Sequence, residues 1–308
     1  MPALSIKHLL IVVAMFLLVI FPLFGSRQLM NIFVFVFAFS ILAASWDMVF
    51  GYAGQLNLGP VFPFGVAGFS TAYLEIDFHL PTWLALLGGA VFGMGAGLAL
   101  AGPSLRLKSD YLGMVTLAMA LAAQLVAVIQ TGEEGLSKGI TQLAGGDVTG
   151  SYYVGLALMA GSCTFMYWLS KTRIGLRFKA VREDQVVAEA MGINTTLYKL
   201  LAFAVNCFFS GIAGSFLTVY IAHVDFTYLA LGTSFQIIAM AIVGGIGTII
   251  GPIVGAFLLY FPSAFLVGQG VTSLIVYGAL IVVVMSLAPE GLVTTAVRLL
   301  TRLNRRGR

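Results

Sequence analysis

Long apolar stretches recur along this sequence and constrain its fold more than any other feature. A helix needs about 20 apolar residues to cross about 30 Å of hydrocarbon. We predict ten such spans, with boundaries good to a few residues, at 8–24, 30–50, 56–74, 82–101, 111–130, 152–170, 200–222, 234–250, 251–268 and 271–289. The predicted fold is therefore all-α, a polytopic transmembrane helical bundle of about ten spans. Half-helices are possible within 56–74 and 234–268.

The composition excludes an ordinary soluble domain. The chain has 308 residues, of which 60% are hydrophobic and 9% charged, and its mean hydropathy is +1.02. Soluble domains average about 25% charged residues, and they cannot hide so much apolar surface. The 36 glycines agree with a membrane bundle, because small residues let membrane helices approach closely. We predict one transmembrane domain over 1–308.

The positive charges predict the topology. If the N-terminus is cytoplasmic, fourteen of the 16 Lys and Arg lie on the cytoplasmic side, and only Arg27 and Lys138 lie outside. Such a bias is typical of membrane proteins. The fourteen are Lys7, Arg106, Lys108, Lys171, Arg173, Arg177, Lys179, Arg182, Lys199, Arg298, Arg302, Arg305, Arg306 and Arg308. We predict that both termini are cytoplasmic, that 290–308 is a basic cytoplasmic tail, and that the first span is retained because no A-x-A-like cleavage site follows it.

Catalytic and metal-binding chemistry finds little support. Cys163 and Cys207 lie in apolar runs, as small core residues often do. His8, His79 and His223 are scattered, without a second ligand at helical spacing. An intramembrane enzyme would need a nucleophile–base pair or a metal-ligating set. We therefore expect no catalytic residue, no metal ligand and no cofactor in this chain.

Glycine and proline mark two segments where helices are predicted to break. The pattern Gly-x-x-Gly followed by Gly-Pro occurs at 51–61 and again at 244–253. Transporters often carry paired interrupted segments near their binding sites, although coincidence is an alternative in so glycine-rich a chain. We predict that 51–69 and 244–255 line the transport pathway. A half-helix N-terminus there would offer partial positive charge to a substrate carboxylate.

The glycine rows at 89–97 and 247–255 repeat every fourth residue, and we interpret them as helix-packing seams. Few polar residues fall within the predicted spans, which fits a neutral or zwitterionic cargo. Asp47 is the only carboxylate that we place inside a span. An acid in that position is a functional candidate; alternatively, Asp47 caps the turn at Gly51. Weaker candidates for lining the pathway are Ser210, Ser234 and Gln236. Each of them could equally make a helix–helix hydrogen bond. The candidate pathway residues are Asp47, Gln55, Asn57, Gly59, Asn206, Gly247, Thr248 and Gly251.

One long interior stretch, 171–199, is highly charged and must lie outside the bilayer. It predicts a short amphipathic helix that stops at Gly192. The apolar face of that helix comprises Ala180, Val181, Val187, Ala188 and Met191. The helix could lie on the membrane surface or fit a groove on a cytosolic partner. Its mixture of acidic and basic residues favours the partner.

The same stretch resembles the coupling loop of LivM-type permeases, subunits of branched-chain amino acid ABC importers. The resemblance is carried by residues 175–177, 180–184, 188–193 and 199–203, and Glu189-Ala190 with Gly192 is similar to the broader EAA loop of importer permeases. Further blocks match at 51–59 (GYAGQLNLG), 132–136 (GEEGL) and 244–256. Together they run in the family's order from about residue 40 to 260.

The resemblance implies a permease domain of a bacterial inner-membrane importer. A second related permease subunit would form a heterodimer with this chain, two cytosolic ATPase subunits would bind ATP and Mg, and a periplasmic binding protein would deliver substrate. This chain would contact lipid but no nucleic acid, and it lacks the G-x-x-x-x-G-K-[ST] phosphate loop. The implied ATPase-coupling residues are Arg182, Glu183, Asp184, Glu189, Ala190 and Gly192.

The cargo remains open at this point. Branched-chain amino acids are the family's usual substrates, whereas close relatives handle urea, short amides or aromatic acids. The alternatives from another class are an ion-coupled secondary transporter and an intramembrane enzyme.

Overall fold

The computed structural model describes residues 13–104, 109–132, 134–265, 278–279, 281–286, 288, 291–295 and 298. Within these ranges the chain is helical and contains no strand. Its helices are α1 Val13–Leu23, α2 Arg27–Asp47, α3 Val61–Ile76, α4 Thr82–Ser104, α5 Ser109–Thr131, α6 Val148–Lys171, α7 Arg173–Glu183, α8 Gln185–Ala190, α9 Thr195–Ile221, α10 Leu231–Gly244 and α11 Ile250–Phe265.

Five helical segments are long and apolar enough to cross a membrane. They are Arg27–Tyr52, Thr82–Ser104, Tyr111–Thr131, Val148–Lys171 and Thr195–Ile221. The all-α prediction is thus confirmed for the described residues, whereas the count of ten spans stays a prediction. Helices α1, α3, α10 and α11 are apolar but shorter. The start of the first predicted span, Arg106, Lys108, and most of 271–289 and 290–308 lie outside the described residues.

Helix α2 forms the centre of the bundle. It is apolar around its whole circumference and nearly all of it is buried, against α6, α9, α10 and α11. Such a helix belongs in a core, since it has no polar face to present to water. Helix α5, by contrast, exposes large apolar side chains such as Met114, Leu125 and Ile129, as expected at a lipid-facing or subunit-facing surface.

The glycine row at 89–97 brings α4 against both α3 and α9. A Cβ on Gly89 would lie 2.0 Å from Thr71 Oγ1, and one on Gly97 would lie 2.5 Å from Cys207 Sγ. The row at 247–255 likewise brings α11 onto α10, where a Cβ on Gly255 would lie 1.9 Å from the Met240 carbonyl oxygen. Both rows therefore agree with the packing-seam interpretation.

Contacts between distant parts of the chain mark two ends of the bundle. At one end, which we call the Val224 end, Leu136 and Val224 pair through their backbones and the Thr141 N–H donates to Glu75. At the opposite end, the Arg182 end, Arg182 donates to the Gly51 carbonyl. The topology that the charges predict, including the assignment of the Arg182 end to the cytoplasm, stays a prediction.

Two sequence-based expectations need correction. Pro60 and Pro63 do not break a helix; they start one, because α3 begins at Val61 with Pro60 as its N-cap, where a missing N–H costs nothing. The break lies earlier, in the non-helical residues 53–60. The predicted single helix of the 171–199 stretch is in fact two helices, α7 and α8, separated by extended backbone at Asp184.

Asp184 divides the stretch because its side chain caps the second helix. Its carboxylate accepts the N–H groups of Val186 and Val187 at 2.8 and 3.0 Å, which favours a new helix start over continuation of the old one. The predicted common apolar face is consequently wrong: Val181 and Ala188 are buried, whereas Val187 and Met191 are exposed. The stop at Gly192 is confirmed, since this residue has a φ of +79° just beyond α8.

Candidate functional site

The two predicted broken segments meet at the buried carboxylate of Asp47. Helix α2 continues as a π-helical turn, Met48–Tyr52, before the chain becomes non-helical. The Gly247 N–H donates to Asp47 Oδ1 at 2.7 Å. A Cβ on Gly51 would lie 1.9 Å from that oxygen and 2.6 Å from the Gly247 nitrogen. The contact between the two segments therefore requires glycine at position 51.

Arg182, at the end of α7, reaches the same place from outside. Its guanidinium donates to the Gly51 carbonyl, and a Cβ on Gly247 would lie 3.2 Å from Arg182 Nη1. A cation here also complements the negative end of the α2 dipole. A second contact comes from Lys179, whose ammonium lies 5.3 Å from the Tyr52 ring centre. We call Asp47, Gly51, Arg182 and Gly247 the junction.

A second polar group, the polar core, lies deeper in the bundle and consists of Ser45, Asn57, Asn206 and Ser210. Asn57 Nδ2 donates to Asn206 Oδ1 at 3.3 Å, and Asn206 Nδ2 donates to Ser45 Oγ at 3.2 Å and Ser210 Oγ at 3.4 Å. Trp46 Nε1 donates to the Asn57 carbonyl at 2.7 Å. All four polar-core side chains are buried, so these amides and hydroxyls satisfy one another away from water.

A small cavity of about 10 Å³ adjoins the polar core, lined in part by Asn57, Gly59, Thr116 and Cys207. A space of that size holds at most one water molecule. The packing around this cavity therefore leaves no space for a solute larger than water, and we call this level of the bundle the closed layer.

Gly251 and Thr248 belong to the tight turn between α10 and α11. The Gly251 N–H donates to Thr248 Oγ1 at 3.2 Å, and the Thr248 hydroxyl donates to the Gly245 carbonyl at 2.8 Å. The turn lies within the predicted break at 244–255, but it precedes the predicted boundary between the spans 234–250 and 251–268. Gly245 turns the chain there with a φ of +125°, which only glycine adopts readily. A Cβ on Gly244 would lie 1.9 Å from the Gly251 carbonyl oxygen.

The N–H groups that immediately precede the two helix starts are bound within the chain itself. In the turn before α11 the Gly247 N–H donates to Asp47. Just before α3 the Gly59 N–H donates to Asn57 Oδ1 at 3.0 Å, and Pro60 and Pro63 have no N–H. A substrate carboxylate could use the Gly247 or Gly59 N–H only by displacing Asp47 or Asn57.

Helix α8 is held against the start of α9 by a polar contact, the α8–α9 contact, formed by Gln185, Glu189, Thr195 and Lys199. Lys199 Nζ donates to Gln185 Oε1 at 2.7 Å, and Thr195 Oγ1 and Gln185 Nε2 donate to Glu189 Oε1 at 2.5 and 3.0 Å. The hydrogen bond from Thr195, followed by that from Gln185, lowers the pKa of the Glu189 carboxyl. The contact fixes α8 to α9, the longest helix in the described part of the chain.

The outer side of α8 exposes apolar side chains. Val186 and Met191 are each 76% exposed and Val187 is 54% exposed. The charged Glu183, Asp184 and Glu189 also lie on this exposed stretch, as do Ala190 and Gly192. We call Val186, Val187 and Met191 the α8 patch. An apolar patch with a polar rim is typical of a protein-binding surface.

The structure thus divides the predicted site residues among separate places. Asp47, Gly247 and Arg182 meet at the junction, Asn57, Gly59 and Asn206 meet around the polar core, and the remaining coupling residues lie on or beside α8. Gln55 is buried at the end of α2 but hydrogen-bonds to no member of either group through its side chain, with Nε2 donating to the Ala53 carbonyl at 3.4 Å and Oε1 without a partner.

Sequence reasoning missed several participants. Ser45, Trp46 and Thr116 carry no motif that would single them out. Glu75 was placed just beyond a predicted span, yet it is buried near the end of α3 with one oxygen bound to the Thr141 N–H at 2.7 Å and the other without a partner. The predicted third span, 56–74, ends one residue before Glu75. A prediction that extended this span would have identified the carboxylate as intramembrane.

Comparisons with known proteins give matches of three kinds. Residues 28–285 match the family described as branched-chain amino acid transport system / permease component. The chain is 26% identical to the high-affinity branched-chain amino acid transport system permease protein LivM of Escherichia coli (strain K12), over 94% of this chain and 75% of that protein. It is 27% identical to the autoinducer 2 import system permease protein LsrC of Enterobacter sp. (strain 638), over 77% and 68%. The solved structure of PsaBC from Streptococcus pneumoniae in complex with Fab is 14% identical, with a TM-score of 0.49, over 85% of this chain and 92% of that one.

Proposed function

The chain belongs to the family of branched-chain amino acid transport permeases, and on this premise we propose that it is the permease subunit of a bacterial inner-membrane importer for branched-chain or similar neutral amino acids. It forms the pathway as a heterodimer with a second permease subunit. Two cytosolic ATPase subunits bind ATP and Mg and drive it, and a periplasmic binding protein delivers the cargo. Both termini and the Arg182 end face the cytoplasm.

The α8 patch is the observation that best supports this proposal. It exposes Val186, Val187 and Met191 at the Arg182 end of the bundle. The α8–α9 contact connects it to α9, and α9 carries Asn206 of the polar core. An ATPase subunit that binds the patch therefore displaces α9, and this displacement opens the closed layer at the polar core.

The chemistry of the polar core supports a cargo without net charge. Its amides and hydroxyls donate and accept hydrogen bonds but carry no charge, so they can bind a zwitterion or a neutral solute weakly and release it. The match to LsrC, an autoinducer 2 import system permease protein, favours a second candidate, another small polar solute. Urea, short amides and aromatic acids belong to the same group of alternatives.

Docking is tested by placing a charge in the α8 patch. Val187→Asp and Met191→Asp should each abolish co-purification of the ATPase subunits and lower transport at least tenfold, because a buried unpaired charge opposes binding. Leu176→Asp is the matched control: Leu176 is 60% exposed, but it lies on α7 and should be tolerated. Full ATPase binding by both patch variants would contradict the docking assignment.

The structure also changes the interpretation of two simpler substitutions. Asp184→Lys would remove the cap of α8 as well as a surface charge, so its loss of coupling would not by itself locate the docking surface. Gly59→Leu would place its side chain against the Thr116 carbonyl oxygen, 2.1 Å from the Cβ position, and so disturb packing. Asn57→Ser and Thr248→Val are milder tests of the pathway, because they remove hydrogen-bonding groups without adding volume.

The cargo is tested by uptake. A strain lacking this chain should lose energy-dependent uptake of labelled leucine, isoleucine and valine, and a plasmid copy should restore it. Parallel assays with urea, a short amide, an aromatic acid and autoinducer 2 separate the alternatives. Unchanged leucine uptake together with lost uptake of one of these solutes would replace the proposed cargo, whereas no change with any solute would contradict the import function.

A further inference from the structure

The carbonyl groups at the end of α2 need partners because the helix stops inside the protein. The Gln55 N–H donates to the Val49 carbonyl at 3.0 Å, and the Gly54 N–H donates to the Phe50 carbonyl at 3.1 Å. The next carbonyl, that of Gly51, receives its hydrogen bond from Arg182. A residue 131 positions away therefore completes the end of the central helix.

The same arginine also contacts the loop that follows α2. A Cβ on Gly54 would lie 3.0 Å from Arg182 Cγ and 3.3 Å from Arg182 Cβ. Gly54 has a φ of +68°, so the chain turns sharply there and lets α7 approach the backbone. The contact is thus a close fit between α7 and the end of α2, in addition to a single hydrogen bond.

Asp47 extends this connection to the α10–α11 turn. Its Oδ1 is bound to the Gly247 N–H, while its Oδ2 is buried without a partner. Separation of the turn from α2 would leave both carboxylate oxygens unpaired in the protein interior, which is costly. The end of α2 and the turn are therefore held as one unit, and Arg182 lies against both.

We infer that Arg182 is a positioning residue that makes the end of α2, together with the α10–α11 turn, move with α7 throughout the transport cycle. This inference rests on the proposed function and deepens it. It assigns Arg182 to force transfer inside the permease rather than to contact with the ATPase, and it assigns Asp47 to the same assembly rather than to contact with cargo. The α8 patch binds the ATPase, α7 moves with α8, and Arg182 transfers the displacement to the core.

A disulfide can replace the contact and so test it. In the variant Gly54→Cys with Arg182→Cys, the two Cβ atoms would lie about 3.3 Å apart, close to the separation that a disulfide spans. The reduced form lacks the guanidinium, and the oxidised form carries a covalent connection in its place. The complete complex, with its ATPases and binding protein, is reconstituted in liposomes, and transport per ATP hydrolysed is measured in both redox states.

The expected result is that the reduced variant hydrolyses ATP but transports at least tenfold less cargo per ATP, and that oxidation restores transport. An active reduced form, or an oxidised form that stays inactive, overturns the inference. If the double variant does not assemble, Arg182→Gln decides: wild-type transport per ATP overturns the inference, and a tenfold loss with retained hydrolysis supports it. Arg173→Gln, on an exposed residue at the start of the same helix, is the matched control. A wild-type complex that fails to transport would instead refute the proposed function.

Discussion

The polar core makes a quantitative prediction about the stability of the bundle. Replacing Asn206 with Leu keeps a side chain of similar size but removes three hydrogen bonds, to Asn57, Ser45 and Ser210, at 3.2 to 3.4 Å. Side-chain hydrogen bonds inside membrane proteins contribute about 0.6 kcal/mol each. The three together predict a loss of about 2 kcal/mol in the free energy of unfolding.

Ser210→Ala provides the matched comparison. It removes two bonds of the same group, those to Ser45 at 3.1 Å and to Asn206 at 3.4 Å, and leaves the other members paired. The predicted loss is about 1 kcal/mol. The Asn206→Leu variant should therefore be destabilised about 1.5 times as much as the Ser210→Ala variant, in proportion to the bonds removed.

Equilibrium unfolding with sodium dodecyl sulfate in mixed micelles, followed by circular dichroism, measures both changes in one series. A change below about 0.5 kcal/mol for Asn206→Leu would refute the argument, since it would fall below the contribution of one such bond. Equal losses for the two variants would also refute it, because the network would then not depend on the number of bonds removed.

Three further predictions concern packing, pH and topology. Gly255→Ala places a methyl group 1.9 Å from a carbonyl oxygen of α10, whereas Gly232→Ala meets nothing within 4 Å. Only Gly255→Ala should therefore lower the thermal unfolding temperature. Equal unfolding temperatures for the two variants would contradict the packing-seam interpretation. Hydrogen bonds from Thr195 and then Gln185 lower the pKa of Glu189 below the ordinary value of 4.5, so the α8–α9 contact should be strongest above that pH and weaken as the pH falls through the lowered pKa. Hydrogen exchange of the α8 backbone amides measures how the strength of the contact depends on pH. A Glu189→Gln variant whose exchange depends on pH as strongly as that of the wild type would contradict this prediction. Reporter fusions active only in the cytosol should work at Arg308 and fail near Lys138; the reverse pattern would overturn the topology.

The positions at which helices are interrupted are easier to predict from the sequence than the contacts between the interrupted segments. Glycine and proline identify the interruptions after Gly51 and around Gly247, because left-handed or N–H-free backbone restricts the choice of residue. They do not reveal that the two breaks meet, since that depends on how α2 packs against α10 and α11. The predicted boundary between the spans 234–250 and 251–268 lies several residues after the end of α10 at Gly244, because the apolar run continues through the turn without a change in composition.

The polar core shows the same limit. Asn57 and Asn206 are recognisable as polar residues in apolar surroundings, but their partners Ser45 and Ser210 resemble any hydroxyl that bonds within its own helix. Which of them meet is decided by the rotation of α2 and α9 about their axes. Likewise, the single amphipathic helix predicted for 171–199 was wrong because Asp184 satisfies two N–H groups, a local preference that outweighs the apolar periodicity.

Helix α9 has a further consequence through its length. It runs without interruption for 27 residues, about 40 Å at 1.5 Å per residue, from the α8–α9 contact to the Val224 end. One rigid helix therefore reaches both the face where the ATPases would bind and the face where the cargo would arrive. Any free energy that couples the two faces must act equally in both directions. A loaded binding protein at the Val224 end should accordingly tighten ATPase association by the same factor with which the ATPases tighten its own docking.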